Sequence, residues 1–270
     1  MDRLAPFDVV FVMRERTPLP REVIERLPHL KMIASTGPFN ASIDMEATAD
    51  HGIHVGTTGG TIASTVELTW VLILAASRNL VGENSAVRAG GWQTSVGREL
   101  AGRVLGVLGV GHKGKRVARV GTAFGMEVIA WSQNPNADAA VAASATYVTK
   151  EELFSRSEVL TIHLKLSERS RNLVGEAELA MMKPNTLLVN TSRGPIVDES
   201  ALVDALESRS IAGAALDVFN TEPLPTGHPL RTLDNVLATP HIGYVADTPY
   251  RIFYRDAVTA IATWLDQHQA

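Results

Sequence analysis

Short apolar runs alternate with amphipathic stretches along nearly the whole chain. Within each run the apolar residues are continuous, which is typical of strands that are covered by helices on both faces. The pattern predicts strands over residues 8–13, 30–35, 104–109, 127–131, 159–163, 186–190, 212–218 and 236–239. The fold class is therefore α/β, with a parallel sheet between layers of helices.

A helix predicted over residues 64–80 is apolar almost all the way round. Ser64 and Glu67 have the spacing of a capping box at its start. A helix without a polar face must be buried, either inside its own chain or against a second subunit. The pattern alone leaves both arrangements open.

The domain organisation follows from a glycine-rich connection and from the last helix. Residues 90–102 contain four glycines and are followed by a new βαβ run, which predicts a boundary near residue 97. The expected domains are a first domain over 1–97, a second over 98–244, and a C-terminal helix over 245–270. The apolar residues of that helix form a single stripe, so it is expected to be docked, and we expect it to return to the first domain.

Three glycines follow the strand predicted over residues 104–109 and open a helix, in the spacing G-x-G-x-x-G. Gly109 permits a tight turn, Gly111 lets a pyrophosphate reach the backbone, and Gly114 lets the helix lie close to the strand. The helix N-terminus offers free N–H groups to phosphate. The motif therefore predicts a dinucleotide-binding site.

The coenzyme is not settled by the residues that follow the motif. In proteins specific for NAD, an acidic residue about 20 positions later binds the ribose 2′-hydroxyl. Here the next predicted strand ends at Ser132, followed by Gln133 and Asn134. No carboxylate repels a 2′-phosphate, and no arginine stands next to Ser132 in the sequence, so NAD and NADP both remain open.

Composition excludes several classes of function. The 29 acidic and 25 basic residues give a net charge of −4, spread along the chain, so neither nucleic acid nor an anionic membrane surface is expected as a partner. The absence of cysteine excludes disulfides and thiolate chemistry. No segment has the pattern of a membrane span or a signal peptide, and a cytoplasmic location is expected. No metal site is assigned, because His51 and His54 lack suitably spaced acidic partners.

Three polar segments follow later predicted strands. They are Asn190–Pro195, which contains Arg193, Asp217–Pro223, which contains Glu222, and Pro240–Gly243, which contains His241. Because ligands of open α/β sheets bind at the carboxyl ends of strands, these three side chains are expected to converge beside the dinucleotide.

These segments and the glycine motif resemble the D-isomer-specific 2-hydroxyacid dehydrogenase family over nearly the whole chain. The resemblance implies that Arg193 binds the substrate carboxylate, that His241 is the acid/base, and that Glu222 orients His241. It also implies an NAD or NADP cofactor and a homodimer. The cofactor-binding residues expected from the motif and the resemblance are Gly109, Gly111, His112, Lys113, Gly114, Ser132, Thr69, Thr191 and Asp217.

The resemblance implies a Rossmann-type domain and a smaller, discontinuous, flavodoxin-like substrate domain. Relatives usually have a strand and a helix ahead of the segment that matches residues 4–13, and this sequence begins without them. Gly37, Pro38 and Phe39 lie in a segment similar to the family's substrate loop, whose amides help to bind the carboxylate. Relatives often carry glycine at the position of Phe39, so Phe39 is expected to tune substrate size.

The residue types suit reduction of a 2-oxo acid to a D-2-hydroxy acid. A guanidinium offers two parallel N–H groups to a carboxylate, and an imidazole titrates near neutrality, as a proton donor to the carbonyl oxygen should. Two other functions remain open. One is a non-catalytic dinucleotide sensor, because the fold does not compel catalysis. The other is a dehydrogenase that acts on a one-carbon or inorganic acid, although relatives that use formate typically have glutamine at the position of Glu222.

Overall fold

The structure is a computed structural model that describes residues 3–134 and 137–268. Its strands are β1 (Val9–Val12), β2 (Met32–Ser35), β3 (His54–Thr57), β4 (Val104–Leu108), β5 (Glu127–Trp131), β6 (Thr146–Tyr147), β7 (Val159–Ile162), β8 (Leu187–Asn190), β9 (Gly213–Leu216) and β10 (Val236–Ala238). Its helices are α1 (Arg21–Ile24), α2 (Met45–Asp50), α3 (Ala63–Ser77), α4 (Leu80–Arg88), α5 (His112–Ala123), α6 (Ala137–Val141), α7 (Lys150–Arg156), α8 (Glu176–Ala180), α9 (Glu199–Glu207) and α10 (Asp247–His268).

The larger of two compact units comprises Ile62–Tyr244 and is built on a seven-stranded sheet in the order β10-β9-β8-β7-β4-β5-β6. All its strand pairs are parallel. The chain reverses its direction of travel across the sheet between β4 and β7, so a crevice opens at the carboxyl ends of these two strands. The predicted α/β class and the Rossmann-type sheet are confirmed.

Helix α3 packs within this larger unit. Its Trp70 ring stacks on Phe124 with ring centroids 5.1 Å apart, and Leu72 and Ile73 are buried in the same apolar cluster as Leu105 of β4. The sequence places residues 64–97 in the first domain. In the structure they belong to the larger unit, because one side of α3, with Trp70, Leu72 and Ile73, is buried against the neighbouring helix and strands.

The start of α3 corrects one detail of the prediction. The helix begins at Ala63, so Ser64 lies in its first turn and does not precede it. The Ser64 hydroxyl is buried and has no hydrogen-bond partner, so the expected capping box with Glu67 does not form. The helix also ends at Ser77, and residues beyond it form the separate helix α4.

The smaller unit joins residues 3–61 to residues 245–268. Its sheet is parallel, in the order β1-β2-β3, and every residue of the central strand β2 is buried. Ala257 and Trp264 of α10 pack against Met32 and Ala34 of β2, which buries the apolar stripe of the last helix. Along the two described stretches of the chain, no helix is long and apolar enough to cross a membrane.

Candidate active site

The turn between β4 and α5 has the geometry that a dinucleotide phosphate requires. Gly109 has φ of +102°, and a Cβ atom there would lie 2.8 Å from the carbonyl oxygen of His163. A Cβ on Gly114 would collide with the carbonyl oxygen of Gly109, so only glycine lets the helix approach the turn. At Gly111, in contrast, no atom lies within 4 Å of the position that a Cβ would take, which leaves open space for a pyrophosphate.

The N-terminus of α5 faces the same turn. Gly111 is the N-cap residue and offers no side chain to the first N–H groups of the helix, which His112 and Lys113 begin. The first N–H groups of a helix point out of its N-terminus, and the positive end of the helix dipole favours negative charge there, which suits phosphate oxygens. The residues present fit the phosphates of NAD(P).

Ser132 joins the end of β5 to the glycine turn. Its Oγ accepts a hydrogen bond from the Val110 N–H at 3.0 Å, and its carbonyl oxygen accepts one from the Tyr147 hydroxyl at 3.1 Å. The end of β5 is the position at which Rossmann proteins bind the adenosine ribose. Ser132 thus connects the end of β5 to the glycine turn, and its expected role at the coenzyme stays a prediction.

The imidazole of His163 lies beside the glycine turn, but it is not a proton donor. Burial, together with the nearby positive charge of Lys113, lowers the pKa of His163 to about 3. Its Nε2 lies 2.9 Å from the Thr161 hydroxyl, and its Nδ1 is buried. The ring is neutral at physiological pH, so His163 is excluded as the general acid.

His241 and Glu222 are paired directly. Nδ1 of His241 lies 2.6 Å from Oε2 of Glu222, and the other carboxylate oxygen accepts the Phe219 N–H at 3.0 Å. Burial tends to raise the pKa of Glu222. The hydrogen bonds from His241 and Phe219 and the positive charges of His241 and Arg193 outweigh burial, and they hold the pKa below its ordinary value. Glu222 is therefore ionised near neutrality, and Nδ1 of His241 is the donor.

Asp217 fixes the loop that carries His241. The loop needs support because His241 has φ of +52°, which a residue with a side chain rarely adopts. The buried carboxylate of Asp217 accepts the N–H groups of Ile242 and Gly243, both at 2.8 Å, and the Thr239 hydroxyl at 2.6 Å. Burial raises the pKa of Asp217, and these hydrogen bonds offset part of that effect. The expected role of Asp217 at the nicotinamide amide stays a prediction.

Two threonines expected near the cofactor meet in the structure. The hydroxyls of Thr69, on α3, and Thr191, after β8, lie 2.8 Å apart, and both residues are buried. The Thr69 hydroxyl also donates to the carbonyl oxygen of Thr65. The Thr65 hydroxyl in turn donates to the carbonyl oxygen of Gly243 at 3.1 Å. Helix α3 is thereby connected to the loop that carries His241, a link the sequence did not reveal.

Arg193 is held close to this site by its neighbours. The Asn190 amide donates to the Arg193 carbonyl oxygen at 3.0 Å and shapes the turn after β8. A Cβ on Gly194 would collide with the backbone of Phe219, so the two loops touch at Gly194. The half-buried Arg193 guanidinium is close enough to lower the pKa of Glu222. The sequence did not reveal this contact at Gly194, although a glycine next to Arg193 was a signal for a close approach.

Gly37, Pro38 and Phe39 lie in the smaller unit, in the loop after β2. Gly37 has φ of +82°, and its N–H donates to the Thr58 hydroxyl at 2.8 Å, so this amide is engaged within its own unit. Phe39 is 55% exposed. The interpretation of this segment as a substrate loop stays a prediction.

The family model described as "D-isomer specific 2-hydroxyacid dehydrogenase, NAD binding domain" matches residues 70–243. The chain belongs to this family. It is 42% identical over 230 residues to a glyoxylate reductase of Aeropyrum pernix, in an alignment that covers 82% of this chain and 69% of the relative. It is 36% identical over 248 residues to a hydroxypyruvate reductase of Thermotoga maritima, in an alignment that covers 89% of this chain and 79% of the relative.

The solved structures agree with this assignment. A phosphoglycerate oxidoreductase from Vibrio cholerae superposes with a TM-score of 0.95 at 37% identity, covering 100% of this chain and 87% of that one. The protein is thus an NAD(P)-dependent oxidoreductase that acts on CH–OH groups, and the resemblance inferred from its motifs is confirmed.

Proposed function

We propose that this dehydrogenase interconverts a small 2-oxo acid and its D-2-hydroxy acid, with His241 as general acid and base, Glu222 as its orienting partner and Arg193 as the carboxylate ligand. The observation that carries the proposal is the 2.6 Å hydrogen bond between His241 and Glu222, on loops that also touch the turn of Arg193. An acid/base pair next to a cationic side chain, in a unit with a dinucleotide turn, suits hydride transfer to a keto acid.

The hydrogen bond between His241 and Glu222 leaves one ring nitrogen of His241 for proton transfer to the substrate. Because ionised Glu222 accepts the proton of Nδ1, Nε2 is the atom that gives a proton to the substrate oxygen during reduction and takes it back during oxidation. Bound NAD(P)H supplies the hydride. The negative charge of Glu222 stabilises the protonated imidazole before transfer, and the hydrogen bond fixes the ring orientation.

Arg193 is proposed to orient the substrate. A guanidinium binds a carboxylate through two parallel N–H···O bonds, which fix the plane of the acid and hence the position of its carbonyl group. The same positive charge withdraws electron density from the adjacent carbonyl carbon.

Small substrates are proposed because relatives with high identity are named glyoxylate reductase and hydroxypyruvate reductase. The experiment is to follow NADH or NADPH absorbance with glyoxylate, hydroxypyruvate and phenylpyruvate. We expect oxidation of the coenzyme with at least one of the two small acids and a lower kcat/KM for phenylpyruvate. If the coenzyme binds but no 2-oxo acid oxidises it, the proposal fails and a non-catalytic sensor is favoured.

Phe39 is proposed to limit substrate size. Replacing Phe39 with glycine, the residue common in relatives, is expected to change the order of kcat/KM among 2-oxo acids of increasing bulk, because a large apolar side chain is removed. The measurement is kcat/KM for the wild type and for Phe39→Gly over such a series. An unchanged order would remove Phe39 from the specificity determinants.

We further propose that the dehydrogenase is a homodimer. In the described part of the chain, several large apolar residues between positions 71 and 96 are exposed. They are Val71, Leu74, Leu80, Val81, Val87, Trp92 and Val96. The irregular segment after α4 is fixed by hydrogen bonds, among them Arg98 N–H to the Ser77 carbonyl oxygen at 2.7 Å. A fixed apolar surface of this kind is typical of an interface, and a second copy presents the same surface.

Sedimentation equilibrium at micromolar concentration is expected to give a mass of two chains. Val81→Glu and Trp92→Ser are expected to shift the protein towards one chain, because a charge or a lost aromatic ring weakens an apolar interface. Val141→Glu is the matched control, since Val141 is also exposed but lies on α6. A wild type that sediments as a single chain would contradict the proposal.

A further inference from the structure

The residues around the end of β5 give grounds for choosing between the two coenzymes. NAD and NADP differ by one phosphate on the adenosine ribose, so a protein that selects NADP needs a cation there and no carboxylate. Ser132, Gln133 and Asn134 follow β5 and carry no charge. Nothing in this described stretch repels a 2′-phosphate.

A cation reaches this place from another part of the chain. Arg169 lies on the turn after β7, 35 residues after Asn134, and its Nη1 donates to Asn134 Oδ1 at 3.3 Å. The Gln133 side-chain amide donates to the backbone carbonyl oxygen of Arg169. Arg169 is therefore held beside the end of β5 through both its backbone and its side chain. The sequence near Ser132 does not reveal that Arg169 lies beside it in space.

The turn that carries Arg169 is well supported. Ser170 is 1% exposed, and its hydroxyl donates to the Lys165 carbonyl oxygen and accepts the Ser167 N–H, both at 2.8 Å. Further along the same turn, Asn172 donates its N–H to the Pro195 carbonyl oxygen at 2.9 Å. A cation on a supported turn loses little conformational freedom when it binds an anion.

The guanidinium of Arg169 has capacity for a ligand. It has five N–H donors, of which Asn134 takes one. Within residues 3–134 and 137–268, Arg169 forms no ion pair with a carboxylate, and its side chain is exposed. Its charge is therefore not neutralised by a described residue at the place where the coenzymes differ.

We propose that Arg169, with Gln133 and Asn134, forms a subsite for the 2′-phosphate of NADP(H), so that this dehydrogenase selects NADP(H) over NAD(H). Arg169 supplies charge-assisted hydrogen bonds to the phosphate, Asn134 holds its guanidinium, and Gln133 holds the backbone of its turn. This inference rests on the proposed function, because the nucleotide concerned is the coenzyme of that reaction.

Nucleotide binding without turnover tests the proposal. Isothermal titration of the full chain with 2′,5′-ADP and with 5′-AMP isolates the contribution of the 2′-phosphate. We expect the wild type to bind 2′,5′-ADP at least tenfold more tightly. Arg169→Ala is expected to weaken 2′,5′-ADP binding by about 10- to 100-fold, the effect of a lost charged hydrogen bond, and to leave 5′-AMP binding within about twofold.

Arg171→Ala is the matched control, because Arg171 is an exposed arginine on the same turn. It is expected to bind both nucleotides like the wild type. Equal wild-type affinity for the two nucleotides would overturn the proposal. So would an Arg169→Ala variant that loses both equally, since this would indicate only a structural role for the turn.

Steady-state kinetics with both coenzymes separate this inference from the proposed function. If NADPH binds with the expected preference but no 2-oxo acid is reduced, the proposed function fails and the subsite stands. If a 2-oxo acid is reduced with equal kcat/KM for NADH and NADPH, the function stands and the subsite is refuted.

Discussion

Replacing His241 with alanine is expected to lower kcat for 2-oxo acid reduction by about 100-fold or more, because a positioned general acid contributes about 10²- to 10⁴-fold to the rate. The affinity for the coenzyme is expected to persist, since His241 lies on the loop after β10 and not on the glycine turn. Rapid kinetics of coenzyme oxidation measure the rate, and fluorescence titration measures the affinity.

The backbone of His241 requires a second variant. Its φ of +52° strains alanine more than asparagine, which adopts this region more readily. His241→Asn therefore tests the loss of the imidazole with less disturbance of the loop. The two variants should show similar losses of kcat. A variant of His241 that keeps most of the wild-type turnover would contradict its role as the acid.

The pH dependence gives an independent check on the pair. The pKa of Glu222 is held below its ordinary value of 4.5, so the carboxylate is charged from about pH 5 upwards. Its contribution to stability is present above the ordinary value and is lost as pH falls through the lowered one. Any change in rate between pH 5 and 9 should therefore not arise from Glu222. Glu222→Gln should keep the hydrogen-bonding shape and lose the charge that stabilises protonated His241.

Replacing Arg193 with alanine is expected to lower kcat/KM for 2-oxo acids by about 10²- to 10⁴-fold, through the loss of two charge-assisted hydrogen bonds to the substrate carboxylate. Arg193→Lys should recover only part of this loss, because an ammonium keeps the charge but lacks the planar pair of donors. Steady-state kinetics of the three proteins provide the comparison.

A substrate change distinguishes carboxylate binding from a general effect of Arg193. The wild type should strongly prefer pyruvate to methyl pyruvate, because the ester offers no carboxylate. In Arg193→Ala this preference should shrink towards none. If the variant keeps the wild-type preference for the free acid, another group binds the carboxylate and the role given to Arg193 is wrong.

The sequence predicted most of the sheet because buried parallel strands are continuous apolar runs. Every predicted strand is present, with ends within two residues. Strand β3 was missed because its sequence, with His54, Gly56 and Thr57, is not an apolar run. Strand β6 was missed because it is only two residues long and follows an alanine-rich stretch. Both lie at the edge of a sheet, where one neighbouring strand suffices to fix a short segment.

The candidate site was predicted as far as its chemistry is local in sequence. The motifs pointed to Arg193, Glu222 and His241, and the structure pairs two of them and places the third within electrostatic reach. The supporting contacts could not be predicted. The position of Arg169 beside Asn134 and the hydrogen bond between Thr69 and Thr191 join segments that are distant in the chain. Such contacts depend on the packing of whole elements.

The close contact at Gly194 has a consequence for how this protein tolerates change. A single methyl group at this position would meet the Phe219 backbone. The loop that carries Arg193 and the loop that leads to Glu222 are therefore in direct contact here. The junction between these two loops has no spare volume, so a larger residue at position 194 must displace one of them. A residue without any reactive group therefore decides how closely the two loops approach each other.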